Sequence, residues 1–263
     1  MTLDEKIALK IKETAKNLLD EGKLPTLTQL DKYYQLFRLN FGPEKLGNLE
    51  GLELLETIHG FGVQNLVYWL EFKNDEEFPT SIFGSISGGS ALKYGIYKSV
   101  KDGEWKIGTP KNIKNLTLDE AIGIARKHRN QLIEGVKLVE QLLDNIEAIS
   151  YFNLQSKLRD FAPDVENTIW GHKYFSLICH EKIDSFHMPY FQTYYLLKLL
   201  QLPQEGTGRY LNSGFLVSVA RELNIPMQHL YQTLIEYYGA YFGHIRTLIP
   251  VTSGQHFGII RTA

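Results

Sequence analysis

Apolar residues recur every three or four positions from the start of the chain. Ile7, Ala8, Ile11, Ala15, Leu18 and Leu19 form one stripe behind Thr2-Leu-Asp-Glu5, which has capping-box spacing, and Gly22 can close the turn. The pattern predicts a helix there, a second over about 27–40 that stops near Gly42-Pro43, and a third over about 50–59. The period then changes. Leu66 to Phe72 is β-branched and aromatic, bounded by Gly62 and Asn74-Asp75, and reads as a strand. Ser81–Ile86, Leu92–Val100 and Trp105–Ile107 read as further strands, separated by Gly88-Gly89 and Asp102-Gly103. Asp102-Gly103 is the strongest hairpin signal in the chain.

Thr117-Leu-Asp-Glu120 is a second capping box, opening a helix that reaches about residue 146. Its apolar residues fall at 118, 122, 125, 132, 136, 139, 143 and 146, a heptad spacing broken only by Arg129. Such a helix either backs the sheet or offers a coiled-coil seam to a partner. Gly123 and Gly135 weaken it in isolation and favour the packing role. Segments 151–160, 166–179, 190–201, 209–223 and 226–238 read as helices punctuated by Pro163, Pro189, Pro203 and Pro226, and the pattern turns irregular after Gly243. The expected fold class is α+β. A helical N-terminus leads into a small antiparallel β-sheet backed by a long helix, then an all-helical C-terminal domain with a helix-turn-helix-like hairpin. The two units would be 1–148 and 149–263, with the boundary near 145–150.

Composition narrows the function classes. With 28 basic and 30 acidic residues the net charge is −2, so the whole chain is not a polycation that coats nucleic acid. The single cysteine, Cys179, excludes an intrachain disulfide framework and a cysteine-based zinc site. The first residues lack the apolar core of a secretory signal, and no apolar run approaches membrane-spanning length, so a cytoplasmic protein without a membrane partner is expected.

The charge is unevenly spread. Residues 91–116 carry six lysines against two acids: Lys93, Lys98, Lys101, Lys106, Lys111 and Lys114 against Asp102 and Glu104. Tyr94, Tyr97 and Trp105 are interleaved with them. Lysines grip phosphates and aromatic rings stack on bases, so Lys93, Lys98, Lys101, Lys106, Tyr94, Tyr97 and Trp105 are candidate nucleic-acid contacts. The competing reading is a solvated strand face. A second candidate lies at 216–235. Ala220, Asn224 and Leu230 have helix-turn-helix spacing: a small residue at a helix crossing, a turn residue that tolerates left-handed backbone, and an apolar anchor. Gln228, Tyr231 and Gln232 would then face outward, and glutamine can pair with adenine in the major groove. The same helix has no Arg or Lys, and helical hairpins of this spacing also serve as pure packing units.

Other motifs weigh less. The glycine-rich stretch from Gly84 to Lys93 lacks the lysine that a phosphate-binding loop places directly after its second glycine. Glu71-Phe-Lys73 and Glu104-Trp-Lys106 have the acid–x–lysine form of metal nucleases, without an aspartate on a preceding strand. His172, His180 and His187 with Cys179 do not share the spacing of a metal site, and no spacing groups Ser, His and Asp. No cofactor or metal is expected.

Two sets of blocks share a family likeness. The first is Tyr68-Trp-Leu-Glu-Phe-Lys73, Phe83-Gly-Ser-Ile-Ser-Gly-Gly-Ser-Ala-Leu-Lys-Tyr-Gly-Ile-Tyr-Lys98, Trp105 and Gln131-Leu-Ile-Glu-Gly135. The second is Trp170-Gly-His-Lys-Tyr174, Asp184-Ser-Phe-His187, Leu196-Leu-Lys-Leu-Leu-Gln-Leu-Pro203, Gly208-Arg-Tyr210 and Ala220-Arg-Glu-Leu-Asn-Ile-Pro226. Over about residues 60–240 the chain resembles the N-terminal region of some bacterial McrB-type restriction ATPases. In that family variable N-terminal domains recognise DNA, an AAA+ motor translocates, and a partner subunit cuts. No Walker A, Walker B or arginine-finger segment follows here, and Gly243 to Pro250 departs from the family's usual ending, so motor activity is not implied. The chain is either a recognition region made alone or a truncated or diverged relative. The resemblance implies a DNA-recognition or adaptor protein of a restriction or antiphage system, not catalytic by itself. Its partners would be DNA, modified or not, and a motor or nuclease subunit. An extruded modified base would need an aromatic pocket, which the rows around Tyr68-Trp69 could supply. The alternatives are a protein–protein adaptor, using the heptad face or the aromatic 186–200 segment, and a weak magnesium nuclease.

Overall fold

The computed structural model describes residues 3–86, 93–109, 111–143, 148–201 and 208–239. The Gly88-Gly89 turn, Pro203, residues 145–147 of the boundary and the segment after Gly243 lie outside the described residues.

The fold is α+β, mostly helical, with one small antiparallel sheet. The N-terminal helices are α1 (Glu5–Asp20), α2 (Leu27–Phe41), α3 (Pro43–Gly47) and α4 (Gly51–His59). The cap of α1 is Asp4, not Thr2: its carboxylate accepts from the Lys6 and Ile7 amides. Thr26 and Gln29 form a capping box on α2.

The expected strand at 66–72 is a helix, α5 (Leu66–Glu71), and the one at 81–86 opens in a short helix, α6 (Thr80–Phe83), with residues 84–86 in neither strand nor helix. A short apolar run does not by itself distinguish strand from buried helix. Packing decides here. Leu66, Val67, Trp69 and Leu70 are all buried. Trp69 meets Phe41 and Phe78 at 5.2 Å, Phe37 stacks on Phe78 at 5.5 Å, and Phe78 on Phe83 at 4.8 Å. A helix turns its apolar side chains through this aromatic nest, whereas a strand would send every second one to the opposite face.

The sheet comprises β1 (Ile96–Lys98), β2 (Trp105–Thr109) and β3 (Asn112–Asn115) in that order, each pair antiparallel. The Asp102-Gly103 hairpin forms as expected. Gly103 has φ +75°, and Ser99 and Glu104 bond across the turn at 2.9 Å. β3 is an addition to the sequence reading. Gly108 permits it: a Cβ there would stand 2.0 Å from the Asn112 carbonyl oxygen.

The Thr117–Glu120 capping box opens α7 (Leu118–Glu140), which ends six residues before the expected stop at 146. α7 backs the sheet through β2 and packs on α3 and α4. Of the expected heptad residues, Ala125, Leu132, Val136 and Val139 are turned into the molecule's own core, while Leu118 and Leu143 are exposed. Arg129, the break in the heptad, is buried and donates to Leu49 O at 2.8 Å and Glu50 Oε1 at 2.7 Å.

The remaining helices are α8 (Ala148–Phe161), α9 (Pro163–Glu166), α10 (Ile169–Ile178), α11 (Pro189–Lys198), α12 (Arg209–Leu223) and α13 (Met227–Tyr238). α10 inserts between α2, α5 and α7, α12 packs on α8 and α11, and α13 lies against α1. Close approaches are made by glycine: a Cβ on Gly135 would meet the Phe175 ring at 2.3 Å, and one on Gly214 the Tyr151 ring at 2.3 Å. One buried apolar cluster runs from Leu3 to Leu234, drawing on both sides of residues 145–150.

Candidate functional site

A cavity of about 370 Å³ opens where β1 meets the end of α4. α4 stops at Gly60, which places His59 and Phe61 on one wall, and α5 contributes Val67. The segment 94–101 forms the other wall with Tyr94, Ile96 and Tyr97, and Lys98 and Lys101 stand at the mouth. The volume suits a single planar ring with substituents, within the ~300–1,000 Å³ common for ligand pockets. The apolar surface continues outside it. Phe72 is exposed there, its ring 5.5 Å from that of Phe61, and the lining residues Phe61 and Val100 are themselves exposed.

The inner wall is held from behind by polar groups. His59 Nε2 is 3.0 Å from His128 Nδ1 on α7, and both imidazoles are buried. Burial holds both below the ordinary histidine range, His128 at about 4, so the wall is neutral at pH 7. Tyr94 packs on Trp170 with centroids 5.2 Å apart, and burial with the nearby Glu71 carboxylate raises its phenol well above the usual value. Glu71 is itself buried, with Lys93 Nζ 3.9 Å from its Oε1. Beneath it lies Lys173, fully enclosed, donating to Leu70 O at 2.9 Å and Gly84 O at 2.5 Å. Burial pushes the Lys173 amine down to about 7, against the pull of Glu71.

Of the nine contacts expected from sequence, four come together here: Tyr94, Tyr97, Lys98 and Lys101. The others do not join them, and the lysines do not share a face. Lys98 pairs across the sheet with Trp105, while Lys106 pairs with Tyr97 on the opposite face. Trp105 is buried beneath Lys98, whose amine lies 5.6 Å from the ring, so it does not present a free stacking surface. Tyr94 likewise exposes little of its ring. Lys93 turns inward to Glu71. Lys98 binds Glu56 at 2.8 Å, Lys106 binds Asp102 at 2.5 Å and Lys114 binds Glu120 at 3.3 Å. The basic excess is thus largely answered by carboxylates. Lys101 and Lys111 have no ion pair among the described residues.

The helix-turn-helix-like hairpin forms with its expected local geometry. Ala220 is buried at the crossing, Asn224 has φ +55°, and Leu230 is buried as the anchor. Its second helix, α13, is nevertheless not a reading helix. Gln228 is buried, donating to Ile82 O at 2.6 Å and accepting from Ser185 at 3.0 Å. Gln232 is half-buried in a smaller cleft beside Leu18 and Lys23. α1 packs against this helix.

The lysines of both nuclease triplets are engaged in ion pairs, Lys106 of the second with Asp102. Lys73 of the first is buried against Asp75 and Glu77, and no group of three His, Cys, Asp or Glu side chains among the described residues could hold a metal.

Tertiary structure makes one constellation that no spacing suggested. His172, Asp184 and Ser213 meet with no exposed surface. His172 Nε2 is 3.2 Å from Ser213 Oγ and 3.3 Å from Asp184 Oδ2. The order is wrong for a nucleophile. Ser213 donates to Asp184 itself, and His172 Nδ1 faces His187 Nδ1 at 3.2 Å. Gln192 also donates to Asp184, at 2.6 Å, and Arg209 donates to the Thr168 and His187 carbonyls. This cluster ties the loop at 184–187 to α10, α11 and α12. His180 and Cys179 stand apart from it: His180 stacks on Tyr34, and burial raises the Cys179 thiol to about 12.

Searches of protein-family models, curated proteins and solved structures find nothing that matches this chain.

Proposed function

We propose that this chain is a DNA-recognition module of a bacterial restriction or antiphage system, of the kind its resemblance to McrB-type N-terminal regions implies, and not catalytic by itself. One base, modified or not, leaves the duplex and enters the cavity beside β1. Tyr97 and Phe61 flank it, the neutral His59 wall receives it, and Lys98 and Lys101 hold neighbouring phosphates. A motor or nuclease subunit would act on the DNA so held. The observation that carries this reading is the cavity itself: ring-sized, aromatic-walled and rimmed by two lysines. It replaces the expected pocket at Tyr68-Trp69, since Trp69 is committed to the core.

The test is fluorescence-anisotropy binding of methylated and unmethylated duplexes from about 50 to 200 mM salt. Binding weakens with salt, and Lys98→Ala with Lys101→Ala lowers the salt slope by about 2. A duplex carrying 2-aminopurine brightens on binding as its base unstacks. Unchanged slope in the double variant, or no binding at the lowest salt, rejects the reading.

A further inference from the structure

A second cavity, about 680 Å³, opens between α2 and the turn from α12 to α13. Its floor is apolar: Leu30, Val217, Ala220 and Met227 are buried. Along the same wall the Tyr34 and His180 rings lie parallel, centroids 3.8 Å apart. Asp31 and Glu181 stand exposed at the rim. Both carboxylates act on the His180 imidazole, which places them around the same ring. Neither has an ion pair or a side-chain hydrogen bond among the described residues. The guanidinium on this wall, Arg221, is tied to the Glu181 carbonyl oxygen at 3.4 Å.

Two open carboxylates repel phosphate, so nucleic acid does not fit this groove. They attract ammonium and guanidinium groups, and the floor between them accepts aliphatic side chains. The volume holds a few side chains and not a folded domain. We infer that this groove docks a short basic, apolar-faced segment of a partner protein, its leucine-like side chains on the Leu30–Val217–Met227 floor and its arginine or lysine between Asp31 and Glu181. The hairpin expected to read DNA would thereby serve protein contact, with the Asn224 turn forming one side of the groove. This surface is separate from the cavity beside β1 and does not depend on the DNA reading.

The test titrates the full ¹⁵N-labelled chain with two synthetic hexapeptides of equal leucine content, one carrying two arginines and the other two glutamates. The arginine peptide is expected to bind in a salt-sensitive way and to shift the amides of Leu27, Tyr34, Asn224 and Met227. The glutamate peptide should bind at least tenfold more weakly. Asp31→Asn with Glu181→Gln, both at exposed positions, should weaken the arginine peptide about tenfold and leave the urea midpoint unchanged. Equal binding of the two peptides, undiminished binding by the double variant, amide shifts elsewhere, or no binding by either peptide overturns the inference. Competition for these amides by duplex DNA also overturns it.

Discussion

The cavity beside β1 and the cluster around Asp184 contain similar chemistry and do different things with it. Each has a touching pair of histidines: His59 with His128, both buried, and buried His172 with half-buried His187. In the first, one imidazole lines a cavity that reaches solvent between Tyr97 and Lys101. In the second, both carboxylate oxygens of Asp184 are engaged inside the protein, and the carboxylate, serine and His172 are sealed. Catalytic residue types in contact are therefore not evidence of catalysis. Access and the order of hydrogen bonds decide.

The largest expected effect separates the two regions by stability. Asp184→Ala strands Ser213, Gln192, His172 and the Phe186 amide without their acceptor, and should cost about 3–5 kcal/mol in urea unfolding. DNA affinity of the folded protein should stay as it was. A cost near zero would mean the cluster is not what holds 184–187 in place.

Acid tests both regions together. Burial depresses His59, His128, His172 and His187, so each is neutral when folded and binds a proton when unfolded. Their contribution is present in full above the unfolded value of ~6.5 and is lost as pH falls toward their folded values. Stability should drop between pH 6.5 and about 4, the folded value of His128, by up to ~1.4 kcal/mol per pH unit per group. His128→Gln should flatten that slope. A urea midpoint independent of pH in this window would show that these histidines are already charged.

A smaller effect marks the open region. Tyr97→Ala removes a half-exposed ring from the cavity wall, so affinity for the 2-aminopurine duplex should fall about tenfold while the urea midpoint holds. Loss of stability without loss of binding would make Tyr97 part of the core. The smallest effect sharpens the role of one lysine. Glu56→Gln frees Lys98 from its ion pair, and DNA binding at 50 mM salt should tighten by a few-fold. No change would leave Lys101 as the main phosphate contact.

Much of the fold was legible. The capping box at Thr117 formed as its spacing allows, the Asp102-Gly103 turn closed its hairpin, and the αL residue at Asn224 took the backbone its side chain tolerates, whereas Asp4 caps the first helix in place of the box expected at Thr2–Glu5 and the box at Thr26 was not read. These are local effects, carried within a few residues. The misread segments, 66–72 and 81–86, are short apolar runs whose conformation depends on Phe78 between them and on Phe37 and Phe41, which are distant in sequence. The cavity lining was half legible. Four of the candidate residues in 94–101 line it, but His59, Phe61 and Val67 come from elements read only as helix end, loop and strand.

The sequence by itself determined the α+β class, the helical periodicities, the tight turns and where the positive charge lies. Each of these depends on side-chain type and near-neighbour geometry. Only the tertiary structure decided which charges are spent on carboxylates and which helix face is covered. It also decided that a Ser, a His and an Asp separated by tens of residues would meet in a sealed interior. Those outcomes depend on burial and long-range packing, which no local spacing encodes.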